Sequence, residues 1–92
     1  MAQYRLLIKA SAIKELRSIP NKKDRQRIVR RIQSLASDPR PHGSQKLSGR
    51  ERYRIRQGQY RIVYAVEADE LVVYVEKVGH RKDVYRALYR FT

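Results

Sequence analysis

The chain contains no cysteine. This excludes a disulfide scaffold, a thiolate metal site and a cysteine nucleophile, and it suits a reducing cytoplasm. Its two histidines, His42 and His80, are too few for a histidine-based zinc site unless carboxylates help. Long apolar runs are missing too. The longest are Leu6-Leu7-Ile8, Ile62 to Val66 and Leu71 to Val75, well short of the ~20 residues with which a helix crosses a bilayer. The N-terminus has no signal-peptide core, so a cytoplasmic protein that does not span a membrane is expected. Neither GxSxG nor a glycine-rich phosphate loop occurs. Ser11, Ser18, Ser34, Ser37, Ser44 and Ser48 stand in helix or loop contexts with no convincing His/Asp partner. Acidic residues are scarce, 9 against 22 Lys plus Arg, and no pair of carboxylates suited to glycoside hydrolysis can be picked from them. Asp69 and Glu70 read as turn residues. No metal and no cofactor is expected.

What the chain has instead is positive charge, a net +13 in 92 residues. The length allows one domain, residues 1–92, with a thin core. A hydrophobic content of 41% is enough to fold it. Residues 1–66 hold 17 Lys/Arg and 4 Asp/Glu, whereas residues 67–92 hold 5 of each. The whole surplus therefore lies in the first two thirds. Arginine outnumbers lysine 15 to 7, and its flat fork of donors matches phosphate and stacks on bases. Self-repulsion at this density costs stability unless an anionic partner relieves it. Nucleic acid, an anionic membrane or an acidic protein would serve.

Tyr4-Arg5-Leu6-Leu7-Ile8 has strand composition. Ser11 is a candidate cap for a helix carrying Ala12, Ile13, Leu16 and Ile19, which Pro20 stops. Asn21 is the next cap. Ile28, Ile32, Leu35 and Ala36 then line one face of a second helix that ends at Asp38-Pro39, with Arg25, Arg27, Arg30 and Arg31 on its other faces. The two helices form an αα-hairpin. Residues 38–50 read as loop, with Leu47 as its anchor. Tyr53 to Gln57, Tyr60 to Val66 and Leu71 to Val78 read as three strands, and Lys82 to Tyr89 as a short helix or extended tail. The expected fold is α+β: a helical hairpin on one face of a twisted, mainly antiparallel four-stranded sheet, in the order β-α-α-β-β-β.

Gly58-Gln59 suits a two-residue hairpin turn with positive φ at the glycine. Gln57 then faces Tyr60, Arg56 faces Arg61, Ile55 faces Ile62, and Tyr53 faces Tyr64. One face collects Tyr53, Ile55, Tyr60, Ile62, Tyr64 and Val66. The other collects Arg54, Arg56, Arg61, Val63 and Ala65, and is expected to be open and basic. A slip of one residue would mix the two sets. In the next hairpin Val66 is expected opposite Leu71, Tyr64 opposite Val73, Ile62 opposite Val75, and Arg61 opposite Glu76. Like charges directly opposite one another are destabilising. Arg56 against Arg61 is such a pair, and a bound polyanion would account for it. His80, after Gly79, is a candidate general acid or base, or a plain surface residue.

Tyr53-Arg54-Ile55-Arg56-Gln57-Gly58-Gln59-Tyr60-Arg61-Ile62-Val63-Tyr64, followed by Val78-Gly79-His80-Arg81-Lys82-Asp83-Val84-Tyr85, resembles the RelE toxins of the RelE/ParE superfamily of toxin–antitoxin systems. The resemblance extends to the opening strand, the two helices and Lys46-Leu47 before Gly49. It implies a ribosome-dependent endoribonuclease that cuts mRNA in the 30S A site. The attacking group would be the RNA's own 2′-hydroxyl, and no metal would be needed. By position, Arg61 would hold the transition-state phosphate, Arg81 would assist the leaving oxygen, and Tyr85 would stack on or orient the nucleotide. Arg54 and Arg56 match two basic site residues that are lysine in well-studied members. Arginine is a poor base, so these two suit phosphate binding, and the base stays open between Tyr85, His80 and groups of the ribosome or RNA.

With RNA as the anionic partner, the charge distribution suggests a wider RNA-binding set. Lys46, Arg50, Arg52, Arg54 and Arg56 would belong to it, with Lys22, Lys23, Arg27, Arg30 and Arg31 meeting ribosomal RNA. The partners that the resemblance implies are an acidic, RelB-like antitoxin encoded adjacently, the ribosome and mRNA, and operator DNA only through the antitoxin. Two alternatives differ in activity: a ParE-like poison of DNA gyrase, and a nonenzymatic nucleic-acid binder.

Overall fold

The computed structural model describes residues 3–47 and 51–83. The elements are β1 (Arg5–Ile8), α1 (Ala10–Arg17), α2 (Lys22–Ser34), β2 (Gln45–Leu47), β3 (Arg52–Gln57), β4 (Tyr60–Glu67) and β5 (Val72–His80). Residues 81–83 continue β5 into a helical turn. The rest of the expected C-terminal helix or tail lies outside the described residues.

The helices form where the apolar spacing places them. α2 is capped by Asn21, whose Oδ1 accepts the backbone N–H of Asp24 at 3.1 Å. Ile28, Ile32, Leu35 and Ala36 are all buried along its inner face and just beyond its end. α1 starts two residues earlier than expected, with Lys9 rather than Ser11 before its first turn and no side-chain cap. The reason is the short link from β1. Lys9 N donates to Val75 O at 2.9 Å while Lys9 O accepts from Ile13 N at 3.0 Å. The same residue thus ends the strand pairing and begins the helix.

The sheet has five strands, not four, in the order β1-β5-β4-β3-β2. The extra strand, β2, comes from the stretch read as loop and pairs antiparallel with β3. Leu47 is therefore a strand residue. β1 runs parallel to β5, and the other pairings are antiparallel. Beyond the end of β1, Glu15 of α1 takes over its edge. It accepts Val78 N–H at 3.3 Å and is ion-paired with Lys77.

The β3–β4 register is the expected one, from Gln57↔Tyr60 to Tyr53↔Tyr64. The β4–β5 register differs. Val66 faces Val73 rather than Leu71, Tyr64 faces Val75, Ile62 faces Val78 and Arg61 faces Gly79. Two features cause this. The connection is wider than a tight turn, with Glu67 opposite Val72 and Leu71 in the left-handed region at φ 55. A β-bulge at Val63/Tyr64 then places one extra β5 residue, Glu76, between the partners of those two residues. The first shift is by two, so Val73 and Val75 keep their expected face. The bulge changes the parity and returns Val78, 1% exposed, to the core.

Ala12, Ile19, Ile28, Ile32 and Leu35 from the helical side meet Tyr53, Ile55, Ile62, Tyr64, Val66, Val73, Val75 and Val78 from the sheet. Tyr4, Leu6, Ile8, Leu16 and Tyr60 pack around this cluster. Tyr53 and Tyr64 stack with ring centroids 5.8 Å apart. Tyr64 donates to Pro39 O at 2.8 Å, and burial pushes its hydroxyl pKa up to about 12. Ile28→Ala, at a fully buried site, should cost about 2–5 kcal/mol in chemical denaturation. Asn21→Ala, at an exposed cap, should cost about 0.5–2 kcal/mol.

Candidate nucleic-acid interface

Strand alternation sorts the sheet residues. Tyr53, Ile55, Tyr60, Ile62 and Tyr64 face the helices, so Arg52, Arg54, Arg56 and Arg61 face the other way. Arg56 and Arg61 are direct partners beside the Gly58-Gln59 turn, and Gly79 faces Arg61 from β5. Arg54 stands two residues further along β3, between Val63 and Gln45. Arg81 N donates to Gln59 O at 2.8 Å, which brings the start of the helical turn to the same end of the sheet. Four of the expected site residues, Arg54, Arg56, Arg61 and Arg81, thus share one locality.

This face is less open than expected. Arg54 is 8% and Arg61 7% exposed, and Val63 between the strands is buried. Arg56 and Arg81 are exposed. Each buried arginine has a neutral acceptor among the described residues. Arg61 Nη1 donates to Gly58 O at 3.1 Å and Tyr60 O at 2.9 Å. Arg54 Nη2 donates to Gln45 Oε1. Arg61 Nε is buried and has no hydrogen-bond partner. Burial of an unsatisfied charged donor is costly, and an anion on this donor would remove the cost.

Other basic residues are committed to carboxylates. Arg52 Nε is paired with Glu76 Oε1 at 2.8 Å. Glu76 was expected beside Arg61; the two-residue shift in register carries it away, and the bulge leaves it between the partners of Val63 and Tyr64. Lys46 lies opposite Tyr53 and pairs with Glu51 at 3.3 Å, so it belongs to the helix-bearing side. Glu51 also accepts from Arg40 at 3.0 Å and from the Tyr53 hydroxyl at 2.8 Å. Arg40 Nε donates to that hydroxyl at 2.9 Å, and its guanidinium lies over the Tyr53 ring. The Tyr53 hydroxyl, then Arg40 and Lys46, lower the Glu51 carboxyl pKa to about 2. The bonds to Tyr53 and Glu51 raise Arg40 above its ordinary value.

Lys22, Lys23, Arg27 and Arg30 are exposed on α2, and Arg31 is half-buried. They lie on the helix-bearing side, so the expected RNA-binding residues divide between two surfaces. His80 pairs with Tyr60, and the two rings meet edge-on at 6.0 Å. That register puts it on the opposite face from the arginines. Tyr85 and Arg50 lie outside the described residues. Sequence reasoning missed Gln45, Arg40 and the hub at Glu51. Gln45-Lys46-Leu47 is too short for its alternation to mark β2, and no local pattern marks Arg40 as a partner of Tyr53. Among the described residues, no three His, Asp or Glu side chains gather as a metal set would.

A family model described as "ParE toxin of type II toxin-antitoxin system, parDE" matches residues 6–85. The chain belongs to the RelE/ParE superfamily of type II toxin–antitoxin toxins. Solved structures of superfamily members share its fold. The isolated E. coli RelE toxin superposes with a TM-score of 0.74 at 28% identity, covering 97% of this chain and 99% of that one. RelE of the archaeal RelE–RelB complex from Pyrococcus horikoshii OT3 gives 0.74 at 28% identity, with 86% and 96% covered. The RelB–RelE antitoxin–toxin complex from Methanococcus jannaschii gives 0.69 at 28% identity, with 86% and 94% covered. A search of curated proteins finds no match.

The Glu51 hub gives this superfamily member an acid-sensitive tie between β3 and the segment before β2. The carboxyl pKa falls from 4.5 to about 2 on folding, so the stabilisation is fully present above pH 4.5 and is lost as pH falls through about 2. Glu51→Gln should remove this step from the acid-unfolding curve followed by circular dichroism. The site is exposed, so added salt should shrink the difference between the two proteins.

Proposed function

We propose that this toxin is a ribosome-dependent mRNA endoribonuclease, cutting in the A site and thereby arresting translation. The observation that carries the reading is the gathering of Arg54, Arg56, Arg61 and Arg81 at one end of the sheet, with a buried donor of Arg61 unfilled. In the reaction the 2′-oxygen attacks the adjacent phosphorus and gives up its proton. The bond from phosphorus to the 5′-oxygen breaks, and that oxygen gains a proton. The products are a 2′,3′-cyclic phosphate and a 5′-hydroxyl. Charge builds on the phosphorane oxygens, where fixed cationic donors act most strongly.

Arg61 suits the phosphate, being buried and held without a counter-charge among the described residues. Arg56, exposed beside it, adds attraction for the backbone, as does Arg54. Arg81 serves the leaving oxygen and Tyr85 the nucleotide, both by family resemblance. The arginines are unsuited to be the base, so the 2′-proton goes to Tyr85 or to a group of the ribosome or RNA. No step calls for a metal. An acidic, RelB-like antitoxin would bind the toxin and keep it inactive in the cytoplasm, and operator DNA would be reached only through it. The neighbouring structures from P. horikoshii and M. jannaschii are such toxin–antitoxin complexes.

The family model's ParE description favours a second reading, a gyrase poison that cuts no RNA. Primer extension on mRNA from induced cells separates the two. Cleavage at in-frame A-site positions is expected, and Arg81→Ala should lower it by about 10²–10³-fold while leaving thermal stability unchanged. Trapped gyrase–DNA cleavage complexes without mRNA ends would establish the second reading. RNA binding without cleavage by the unaltered chain would make it a nonenzymatic binder.

A further inference from the structure

We infer that the β3–β4 turn is a positioning device for two of the arginines at this end of the sheet, Arg61 and Arg81, working through three consecutive backbone carbonyls. The Gly58 and Tyr60 carbonyls accept from Arg61 Nη1 at 3.1 and 2.9 Å. The Gln59 carbonyl between them accepts Arg81 N–H at 2.8 Å. A turn that would ordinarily only reverse the chain therefore sets where one guanidinium points and where the other's backbone starts.

The choice of acceptor has a chemical consequence. A carboxylate would orient a guanidinium equally well but would cancel its charge, as Glu51 does for Arg40. A carbonyl dipole orients it and leaves the full charge for an anion. Among the described residues Arg61 meets no carboxylate and is 7% exposed. Its Nη1 is fixed by the turn while its buried Nε stays without a partner. The side chain is thus anchored at one corner with a second donor available.

Gly58 makes the arrangement possible. Its φ is 59, and no non-glycine residue other than Leu71 takes positive φ among the described residues. Positive φ at only the first position of a two-residue hairpin is the II′ pattern, which takes glycine there. A Cβ on Gly58 would meet nothing within 4 Å. The demand for glycine is therefore conformational and not a matter of space, so an L-residue must shift the backbone and carry the carbonyls with it.

This inference rests on the proposed endoribonuclease reading, and its test separates the two. Full-length Gly58→Ala is compared with the same substitution made with D-alanine by chemical synthesis. The two carry the same methyl group, but only the D-residue accepts positive φ readily. A third variant inserts one glycine between Gly58 and Gln59, relaxing the turn without strain should the first fail to fold. The Arg61 Nε–Hε NMR resonance reports side-chain placement, and single-turnover cleavage of ribosome-bound mRNA reports its use. Gly58→Ala and the insertion should shift the resonance and slow cleavage at saturating ribosomes roughly tenfold or more, with the half-saturating concentration little changed. The D-alanine protein should match the unaltered chain in both. An unmoved resonance in the folded variants overturns the clamp, and a moved resonance at unchanged rate overturns its positioning role. If the unaltered chain cleaves nothing, the functional reading fails and the resonance alone decides the clamp.

Discussion

Pairing Arg56 with Arg61 directly across the β3–β4 hairpin is the constraint on which much else turns. A two-residue turn at Gly58-Gln59 allows this register, and the register sends the tyrosines and isoleucines to the helices. The arginines must then share the other face. A slip of one residue would separate like charges but would bury arginines in the core. The protein thus accepts electrostatic repulsion on one side to keep a packed interior on the other. The repulsion becomes useful once an anion lies across the face.

How each guanidinium is held decides what it can do. With 9 acids for 22 bases, carboxylates are too few to neutralise the surface, and the fold places them selectively. Glu51 gathers Arg40, Lys46 and the Tyr53 hydroxyl at the base of β3. Glu76, placed by the bulge, takes Arg52. Glu15 secures the edge of β5. These contacts lie away from the turn. At the turn, backbone carbonyls replace carboxylates, so orientation is gained without loss of charge.

Legibility followed the range of the determining interaction. The αα-hairpin, the β3–β4 register and the sorting of its two faces depend on local periodicity, two prolines and one glycine, and all could be read from the residues. The position of Val66 against Val73 depended on how Ala68 to Leu71 turn, with Leu71 unexpectedly in the left-handed region. The bulge at Val63/Tyr64 has no local signature, because it answers a tertiary demand to bury Val78. β2 is only Gln45–Leu47, too short for alternation to stand out, and pairing with β3 is what makes it a strand. Of the site, the three arginines of the hairpin were legible because one register fixes them all. That His80 turns to Tyr60 follows from the β4–β5 register and inherited its error.

The bulge also ties the core to the site. Without it, Val75 and Val78 would fall on opposite faces, and either the core would lose a valine or the end of β5 would shift. By absorbing Glu76, β5 keeps both valines inward and arrives with Gly79 opposite Arg61. Glycine there adds no side chain to compete with the guanidinium. The next residues then return to the turn, where Arg81 N–H meets Gln59 O. A single extra residue therefore satisfies three requirements at once. It buries Val78, gives Arg52 its carboxylate, and delivers Arg81 to the end of the sheet where Arg61 waits. Deleting it would not weaken these features separately, because all three depend on the same step in register.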